Sequence, residues 1–393
     1  MVEARRAAVV GVGSTEYYRR GGSLPQTANE LAAVAILAAL DDAGLAVEDI
    51  DGFAYYSGGF DTGWFAQALG IPMIKFTASL TGGGSGSAGS VGLAATAIAA
   101  GQADVVVSLM TLQQAPGNRL GAAMAVQSGP YYRPPTPERD FIAPYGAFAP
   151  GHFFSLIAQR HMYEYGTTRE HFAEVAITQR TNALTRPKAL HKGPLTREEY
   201  FAARMISDPL CLYDYTMESD GAVAVITTSA DRARDLRHPP VHVMAAASGG
   251  DGRWGRGIGW MGMPDELFAT AGAGAIAKLL YERAGIGPED VDVALLYDHF
   301  TPMVLLQLED YGFCGRGESG PFVAEGNIRI GGTIPVNTHG GNLSEAYIIG
   351  MTHVVEAVEQ IRGTAINQVA GAEIALVTGG PSGIPVSGLL LQR

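Results

Sequence analysis

The sequence contains little cysteine. Only Cys211 and Cys314 occur in 393 residues. A disulfide framework needs several cysteines at short spacings, and zinc or iron–sulfur sites need paired Cys or His ligands. Neither pattern is present, so the sequence predicts no disulfide scaffold and no metal centre. We expect both cysteines to be small apolar residues.

Charged residues are also scarce, at 17% of the chain, and the net charge is -12. A nucleic-acid-binding protein needs a basic face, which an acidic balance of this size argues against. No apolar run reaches the roughly 18 uninterrupted residues that a membrane span requires. The first residues, Met1–Val10, lack the length and the cleavage site of a secretory signal. The sequence therefore predicts a cytoplasmic protein that binds neither nucleic acid nor membrane.

Glycine and apolar residues are abundant. The chain contains 52 glycines, and 47% of its residues are hydrophobic. A chain of this length is expected to form two core-forming halves rather than one small core. Few charges and a large apolar fraction also favour burial beyond one chain, so we expect a homodimer that forms through the glycine- and alanine-rich central faces.

One local pattern occurs twice in the chain. An alanine-rich helix, a glycine stop, an acidic turn and a strand follow one another in both places. Ala43–Asp51 matches Ala284–Asp292 with an offset of 241 residues (285 − 44) between the two stop glycines. Tyr56 falls opposite Tyr297, and we interpret Tyr56 as a core residue. An internal repeat of this kind predicts a duplicated fold.

A second pair of segments supports the duplication. Gly86–Ala100 and Gly340–Ile361 are each predicted to begin with small or polar residues, continue as a helix and lead to a buried strand. Strands that alternate with helices indicate an α/β fold with a mostly parallel sheet in each half, covered on both faces. Two such sheets that share central helices would form five layers, α/β/α/β/α.

The expected halves are residues 1–235 and 236–393, and the first includes a loop region of about 116–205. The beginning of that region, Pro116–Gly151, is rich in proline and tyrosine and has little periodicity. Long loops in compact domains are usually lids or binding segments. Behind it we expect two amphipathic helices, over Phe153–Gly166 and Thr168–Thr181.

The stretch Asn337–Tyr347 carries a dense set of candidate binding groups. Gly340 and Gly341 allow the backbone to approach a ligand closely, and His339 and Asn342 flank them with polar side chains. A helix-compatible run follows, and a loop that leads into a helix N-terminus suits polar or anionic groups. We therefore predict that these four residues bind substrate. The alternative is a glycine-rich turn with a tyrosine packed beneath the helix.

Four motifs, taken in order, resemble those of the thiolase superfamily, and most closely its sterol-carrier-protein-type branch, whose members are often called lipid-transfer proteins. They are Val9–Thr15, Tyr165–Thr168, Asp208–Leu210 and Asp220–Ala222. The resemblance covers essentially the whole chain. It implies a dimeric five-layer fold that acts on acyl-coenzyme A thioesters.

The departures from that family fall on its catalytic positions. Gly86, flanked by Ser85 and Ser87, stands where such thiolases carry a nucleophilic cysteine. Tyr297 opens the first active-site segment, and Tyr347 takes the place of the histidine in the second. Glycine cannot be acylated, and an unassisted serine is a poor nucleophile. Claisen chemistry through an acyl-enzyme is therefore not expected, and Gly86 is left as a candidate substrate-binding position.

A 3-hydroxyacyl thioester offers a route without a covalent intermediate. A base removes the hydroxyl proton, the Cα–Cβ bond breaks to give a ketone, and the thioester enolate is protonated at carbon. Tyrosines can transfer these protons if their environment lowers the pKa from about 10. We predict that Tyr297 and Tyr347 form the catalytic pair. Asp298 and His299 are further catalytic candidates, and their alternation in a strand would make them face opposite ways.

A subgroup of thiolase-like proteins resembles this pattern, namely the aldolases that remove the last side-chain fragment in bacterial steroid degradation. The resemblance implies cleavage of a 17-hydroxy steroid acyl-CoA to a 17-ketosteroid and propionyl-CoA, with no cofactor beyond the coenzyme A of the substrate. It also implies a small partner with an OB-fold domain of the DUF35 type. Two alternatives are open at this point. The protein could bind acyl chains or acyl-CoA, or scaffold a partner, without catalysis, or it could be a serine-based or otherwise cysteine-free acyltransferase.

Overall fold

The computed structural model describes residues 6–56, 61–80, 83–114, 143–147, 149–254 and 263–393. Within these residues the strands are β1 Ala7–Ser14, β2 Tyr18–Arg19, β3 Gly52–Tyr56, β4 Phe76–Leu80, β5 Val105–Leu112, β6 Met205–Ser207, β7 Leu210–Cys211, β8 Ser219–Ser229, β9 Val241–Gly249, β10 Val293–Leu295, β11 Ile374–Gly379 and β12 Val386–Gln392.

The helices of the same residues are α1 Ala28–Ala43, α2 Thr62–Leu69, α3 Gly86–Ala99, α4 Pro150–Tyr165, α5 Arg169–Ala183, α6 Arg197–Ala202, α7 Ala230–Ala233, α8 Asp265–Phe268, α9 Gly274–Ala284, α10 Thr301–Asp310, α11 Ser319–Ala324, α12 Gly341–Ser344 and α13 Met351–Arg362. None of the described helices is long and apolar enough to cross a membrane.

The duplication predicted from the sequence is confirmed. Helix α1 ends at Gly44 and helix α9 ends at Gly285, and both glycines are left-handed, with φ of 70° and 72°. A 3-10 turn follows each of them, at Val47–Asp49 and Pro288–Asp290, and leads to β3 or β10. Only glycine adopts this cap conformation without a steric penalty, so the repeated glycine ends the helix in both halves.

The strands of the two halves form one continuous path. Its order is β10–β11–β12–β9–β1–β8–β5–β3–β4, and β2 adds a short pairing to β8. The halves meet where β1 pairs with β9, at Ala8 with His242 and Val9 with Val241. The two sheets expected from the sequence are therefore joined along this edge. The predicted domain boundary at residue 235 falls between β8 and β9 and stays a prediction.

The expectation of mostly parallel sheets is wrong. Parallel pairing joins β3 to β4 and β5, and β10 to β11. The pairings of β8 with β1 and β5, of β9 with β1 and β12, and of β11 with β12 are antiparallel. The first half thus contains three parallel strands and the second half contains two, and antiparallel strands complete the sheet in each half. Alternation of helices and strands indicates an α/β fold but does not fix the direction of the strands that close a sheet.

Helix α3 lies between the strands of the two halves. It packs on β3 and β5 of the first half and on β9 and β12 of the second, and it also touches α13. Its largest side chains are Leu and Ile, and most of its residues are buried. Helices α1 and α9 cover the outer faces of the two sets of strands. This arrangement gives the five layers predicted for a thiolase fold.

The helices predicted in the loop region are present, as α4 and α5, with bounds that differ by up to three residues. Most of the predicted loop Pro116–Gly151 lies outside the described residues. The helix predicted to follow Gly340–Tyr347 and to end at about Ile361 is present as α13, but it begins only at Met351. The short helix α12 precedes it, and a break separates the two, where Ile349 and Gly350 take positive φ angles of 51° and 75°.

Candidate active site

Two tyrosines of the second half meet near the N-terminus of α3. Tyr297 follows the end of β10, and Tyr347 lies in the break between α12 and α13. Their hydroxyl oxygens are 3.1 Å apart, and either group could donate the hydrogen bond. Tyr297 is 2% exposed, whereas Tyr347 is half-buried. The sequence predicted both as catalytic residues, and the structure places their hydroxyls in contact.

Two hydrogen bonds to its backbone and two glycines against its ring fix the position of Tyr297. Its N–H donates to Thr378 Oγ1 at 2.9 Å, and its carbonyl accepts from Gln307 Nε2 at 2.8 Å. The ring lies between Gly84 and Gly350. A Cβ on Gly84 would lie 2.6 Å from Tyr297 Cε2, and a Cβ on Gly350 would lie 2.7 Å from Cδ2. Glycine is needed at both positions because the backbone passes so close to the ring.

Tyr347 is held differently, by a strand of the first half. Its N–H donates to the hydroxyl oxygen of Ser219 at 3.0 Å, at the start of β8. The break between α12 and α13 frees this N–H from helical hydrogen bonding. The side chain therefore projects from the non-helical link between α12 and α13, and not from the helix N-terminus that the sequence indicated.

Burial raises the pKa of both tyrosine hydroxyls above the ordinary value of about 10. The hydrogen bond between them raises the pKa of Tyr297 further and lowers that of Tyr347, since Tyr297 donates to an ionised Tyr347. The carboxylate of Asp298 and the hydroxyl of Tyr56 add to the rise at both residues. The condition stated from the sequence, an environment that lowers these pKa values, is not met here. The pair is neutral at ordinary pH.

Gly86, at the family's nucleophile position, has no room for a side chain. A Cβ there would lie 2.6 Å from Met110 Cε and 2.8 Å from Tyr56 Cβ. Both neighbouring serines are buried, and Ser87 Oγ donates to the Gly84 carbonyl at 3.2 Å. The proton of the Ser87 hydroxyl is thus directed at a backbone carbonyl rather than at a side-chain base. The assignment of Gly86 to substrate binding stays a prediction.

Asp298 and His299 do face different parts of the molecule. The Asp298 carboxylate accepts the backbone N–H groups of Asn342 at 2.9 Å and Leu343 at 3.1 Å. The His299 ring turns towards α4, where it meets Phe154 edge-on with the ring centroids 4.3 Å apart. Burial lowers the pKa of His299 to about 3, so its imidazole is neutral. Its Nδ1 has no hydrogen-bond partner among the described residues.

These contacts separate the two candidates chemically. Asp298 binds the segment that leads to Tyr347, and its oxygens are occupied by donors. The His299 ring centroid is 5.2 Å from that of Tyr297, so the histidine packs beside the tyrosine ring. Direct catalytic roles for both residues stay predictions.

The four predicted substrate-binding residues form a buried turn against α5. A Cβ on Gly340 would lie 2.9 Å from Ala183 Cα, and Gly341 has a φ of 63°. His339 Nε2 is 3.2 Å from His353 Nδ1. The Asn342 side-chain amide is buried and has no partner among the described residues. Close packing of the protein on itself accounts for the glycines, and contact with substrate stays a prediction.

Three positions near the tyrosines were missed from the sequence. Tyr56 is half-buried and packs against Gly86, so it borders the site rather than lying in the core. His353 and Gln307 are fully buried. His353 binds the carbonyl of Leu296, and Gln307 binds the carbonyl of Tyr297. The repeat had placed Tyr56 opposite Tyr297, which was the available signal. The two others are polar residues on helices that pack over the site, where burial cannot be read from spacing.

Known proteins match this chain along its whole length. A family model described as thiolase C-terminal domain-like matches residues 260–386. A steroid side-chain-cleaving aldolase of Thermomonospora curvata is 39% identical, over 98% of this chain and 97% of its own. The 17-hydroxy-3-oxo-4-pregnene-20-carboxyl-CoA lyase of Mycobacterium tuberculosis is 40% identical, over 98% of this chain and 99% of its own.

Solved structures agree. The Ltp2-ChsH2(DUF35) aldolase superposes with a TM-score of 0.88 at 38% identity, covering 100% of this chain and 99% of that one. Human mitochondrial 3-ketoacyl-CoA thiolase shares the fold, with a TM-score of 0.70 at 15% identity. The chain therefore belongs to the thiolase superfamily. Its full-length identity to the two relatives places it among the carbon–carbon lyases of that superfamily, next to the steroid side-chain-cleaving aldolases.

Proposed function

We propose that this protein cleaves a 3-hydroxyacyl-CoA by a retro-aldol reaction, and that the substrate is a 17-hydroxy steroid side-chain thioester. The products would be a 17-ketosteroid and propionyl-CoA. The observation that carries the proposal is the contact of the Tyr297 and Tyr347 hydroxyls at 3.1 Å, beside a glycine that cannot be acylated. The names of the two relatives that are similar over the full length support the substrate class.

The two hydrogen-bonded tyrosine hydroxyls can pass a proton from the substrate hydroxyl to the enolate carbon while both side chains stay neutral. One tyrosine takes the proton of the substrate's Cβ hydroxyl, the Cα–Cβ bond breaks to form the ketone, and the other gives its proton to the enolate carbon. A proton crosses between the two hydroxyls, so both tyrosines end the cycle as they began. Because burial raises both pKa values, this concerted route is easier than prior formation of a tyrosinate.

The proposal requires no cofactor beyond the coenzyme A of the substrate, since no electrons are transferred and no acyl-enzyme forms. An acyl-CoA thioester would be met inside the cell, which is the argument for a cytoplasmic location. The similar Ltp2 protein is solved with a DUF35 protein, ChsH2, and we propose a partner of that OB-fold type for this chain.

We also propose that two copies associate through β4. This strand ends the sheet path, and β3 is its one neighbour among the described strands. Its sequence, Phe-Thr-Ala-Ser-Leu, has no charge and no proline, the features that usually protect an exposed edge from pairing. A second copy would cover it by strand pairing.

The test is to incubate the protein with a tertiary 3-hydroxyacyl-CoA, alone and with a DUF35-type partner, and to follow ketone and propionyl-CoA together. Equimolar release of both products is expected. Release of free acid and coenzyme A, or of acetyl transfer products, would contradict the retro-aldol route. Binding without release of either product would favour the scaffold interpretation.

A further inference from the structure

Asp298, His353 and His339 form a buried polar cluster directly behind the tyrosine pair. All three side chains are fully buried. His353 Nε2 lies 3.0 Å from Asp298 Oδ1 and 3.0 Å from the Leu296 carbonyl. Both of these partners accept, so this nitrogen carries a proton. Nδ1 on the other side of the ring is 3.2 Å from His339 Nε2. Burial lowers the pKa of His339 well below its usual range, so that ring is neutral.

The cluster joins the two chain segments that carry the tyrosines. Asp298 is the next residue after Tyr297, and its carboxylate binds the backbone of Asn342 and Leu343, ahead of Tyr347. His353 lies after Tyr347, in the first turn of α13, and binds the residues on both sides of Tyr297. The Tyr347 segment is therefore fixed to the Tyr297 segment before and after the tyrosine. Two side chains, Asp298 and His353, make all of these contacts.

Asp298 also brings charge to the pair. The titratable groups that face the tyrosines among the described residues are Asp298, His299, His353 and Tyr56. Of these, Tyr56 and the Asp298 carboxylate raise the pKa of both hydroxyls, the carboxylate because a nearby negative charge opposes a second one. His299 is neutral and does not offset it.

We propose that Asp298 and His353 are positioning residues for the aldol cleavage, which hold the two tyrosine hydroxyls in contact. The expected effect on kcat rests on the proposed function. The joining of the two tyrosine segments rests on the observed contacts alone. Asp298 does not itself transfer a proton, since its oxygens are bound by two backbone N–H groups and by His353.

The experiment compares Asp298→Asn, His353→Leu and His353→Gln with a matched control, Glu309→Gln. Glu309 and His161 form another buried carboxylate–imidazole pair, 3.0 Å apart, and within the described residues their hydrogen bonds do not reach Tyr297 or Tyr347. Two readouts are needed: kcat and KM with the 3-hydroxyacyl-CoA, and the ionisation of Tyr347 followed by NMR of isotope-labelled tyrosine Cζ. Tyr347→Phe assigns the Tyr347 signal. Thermal unfolding identifies variants that do not fold.

Asp298→Asn is expected to lower kcat by roughly 10²-fold, the scale of a 1 Å misplacement of catalytic groups, with little change in KM. It should also move the ionisation of Tyr347 to higher pH, because the hydrogen bond from Tyr297 lowers this pKa by more than the Asp298 charge raises it, and that bond is lost when the hydroxyls separate. His353→Gln keeps an N–H donor and should recover part of the activity that His353→Leu loses. Glu309→Gln should lower stability without moving the tyrosine signal.

An unchanged Tyr347 ionisation in folded Asp298→Asn would overturn the inference, and so would an equal shift in Glu309→Gln. The NMR measurement requires no turnover. If the wild-type protein released no ketone, the proposed function would fail while the ionisation of Tyr347 would still decide the role of Asp298.

Discussion

Tyr56 of β3 packs directly against Gly86 of α3, so closely that a Cβ at position 86 would lie 2.8 Å from the Cβ of Tyr56. The residue that borders the tyrosine pair in the first half thus occupies the space in which a nucleophile's side chain would begin. Adding a side chain at position 86 therefore requires movement of the β3 backbone or of Tyr56.

Gly86→Ala is therefore expected to lower the free energy of unfolding by about 1–3 kcal/mol, the usual range for overpacking a core. Met110 Cε can move aside, but the Cβ of Tyr56 cannot move without its strand. Denaturant unfolding measures the change. Gly383→Ala is the matched control, since nothing lies within 4 Å of a Cβ there. Equal stability of the two variants would contradict the packing argument.

Tyr297→Phe and Tyr347→Phe should each lower kcat by about 10²–10⁴-fold, because general acid–base groups contribute on that scale. KM should change much less, since the ring packing and the coenzyme contacts remain. Steady-state assay of ketone release gives both constants. If the two hydroxyls act as one relay, the double variant should be scarcely slower than either single one.

Tyr311→Phe is the appropriate control for these variants. Tyr311 is 1% exposed, and its hydroxyl has no hydrogen-bond partner among the described residues, so removing the oxygen tests burial alone. Tyr56→Phe is not a neutral control, because Tyr56 borders the pair and raises its pKa values. Wild-type turnover in both single variants would refute the assignment of the chemistry to these tyrosines.

No covalent acyl-enzyme should accumulate during turnover. Gly86 has no nucleophile, and the Ser87 hydroxyl donates to the Gly84 carbonyl. Intact-protein mass spectrometry of samples quenched in the steady state should show the unmodified mass. An acyl adduct that maps to Ser85 or Ser87 would reopen the serine-based acyltransferase alternative.

Stability should depend on pH through Glu345, which pairs with Arg186 at 2.9 Å two residues before Tyr347. Burial raises the pKa of this carboxyl from 4.5 to about 7, and the nearby carboxylates of Glu356 and Glu359 add to the rise. The folded state then binds more protons than the unfolded state between these values. The free energy of unfolding should fall as pH rises from 4.5 to 7. Glu345→Gln should flatten this slope.

Ser79→Pro in β4 should convert a dimer to a monomer. Proline removes a strand N–H and is poorly accommodated in a paired strand. Light scattering at micromolar concentration should report twice the chain mass for the wild type and a single mass for the variant. A wild-type protein that is monomeric under these conditions would exclude the β4 pairing.

The repeated unit could be predicted from the sequence because the local backbone conformation at the end of each helix requires a glycine. Gly44 and Gly285 both end a helix in the left-handed conformation, and that requirement appears in the residue itself. The tyrosine pair could be identified for a different reason, since both residues stand on catalytic positions of the resembled family. Neither inference needed knowledge of contacts between distant segments.

The features that were missed depend on such contacts. Ile349 has a positive φ, which its own chemistry disfavours, so the helix break could not be predicted from an apolar run. Tyr56 and His353 belong to the site because they contact segments that are distant in the sequence, and the sequence does not show these contacts. The antiparallel direction of β8 and β12 depends on the path by which the chain returns to the sheet. The hydrophobic periodicity of the sequence does not predict that path. The raised pKa values likewise come from burial, a property of the assembled fold.

The slot that holds the Tyr297 ring has one wall from each half of the protein, Gly84 from the first and Gly350 from the second. The hydroxyl lies on the axis of the ring, so a ring flip would not move it, and no side chain at either wall can be repacked to shift it. What can shift it is a displacement of one backbone wall relative to the other. Any event that moves the two halves by a fraction of an ångström, such as the docking of another protein, would therefore change the separation of the reacting oxygens.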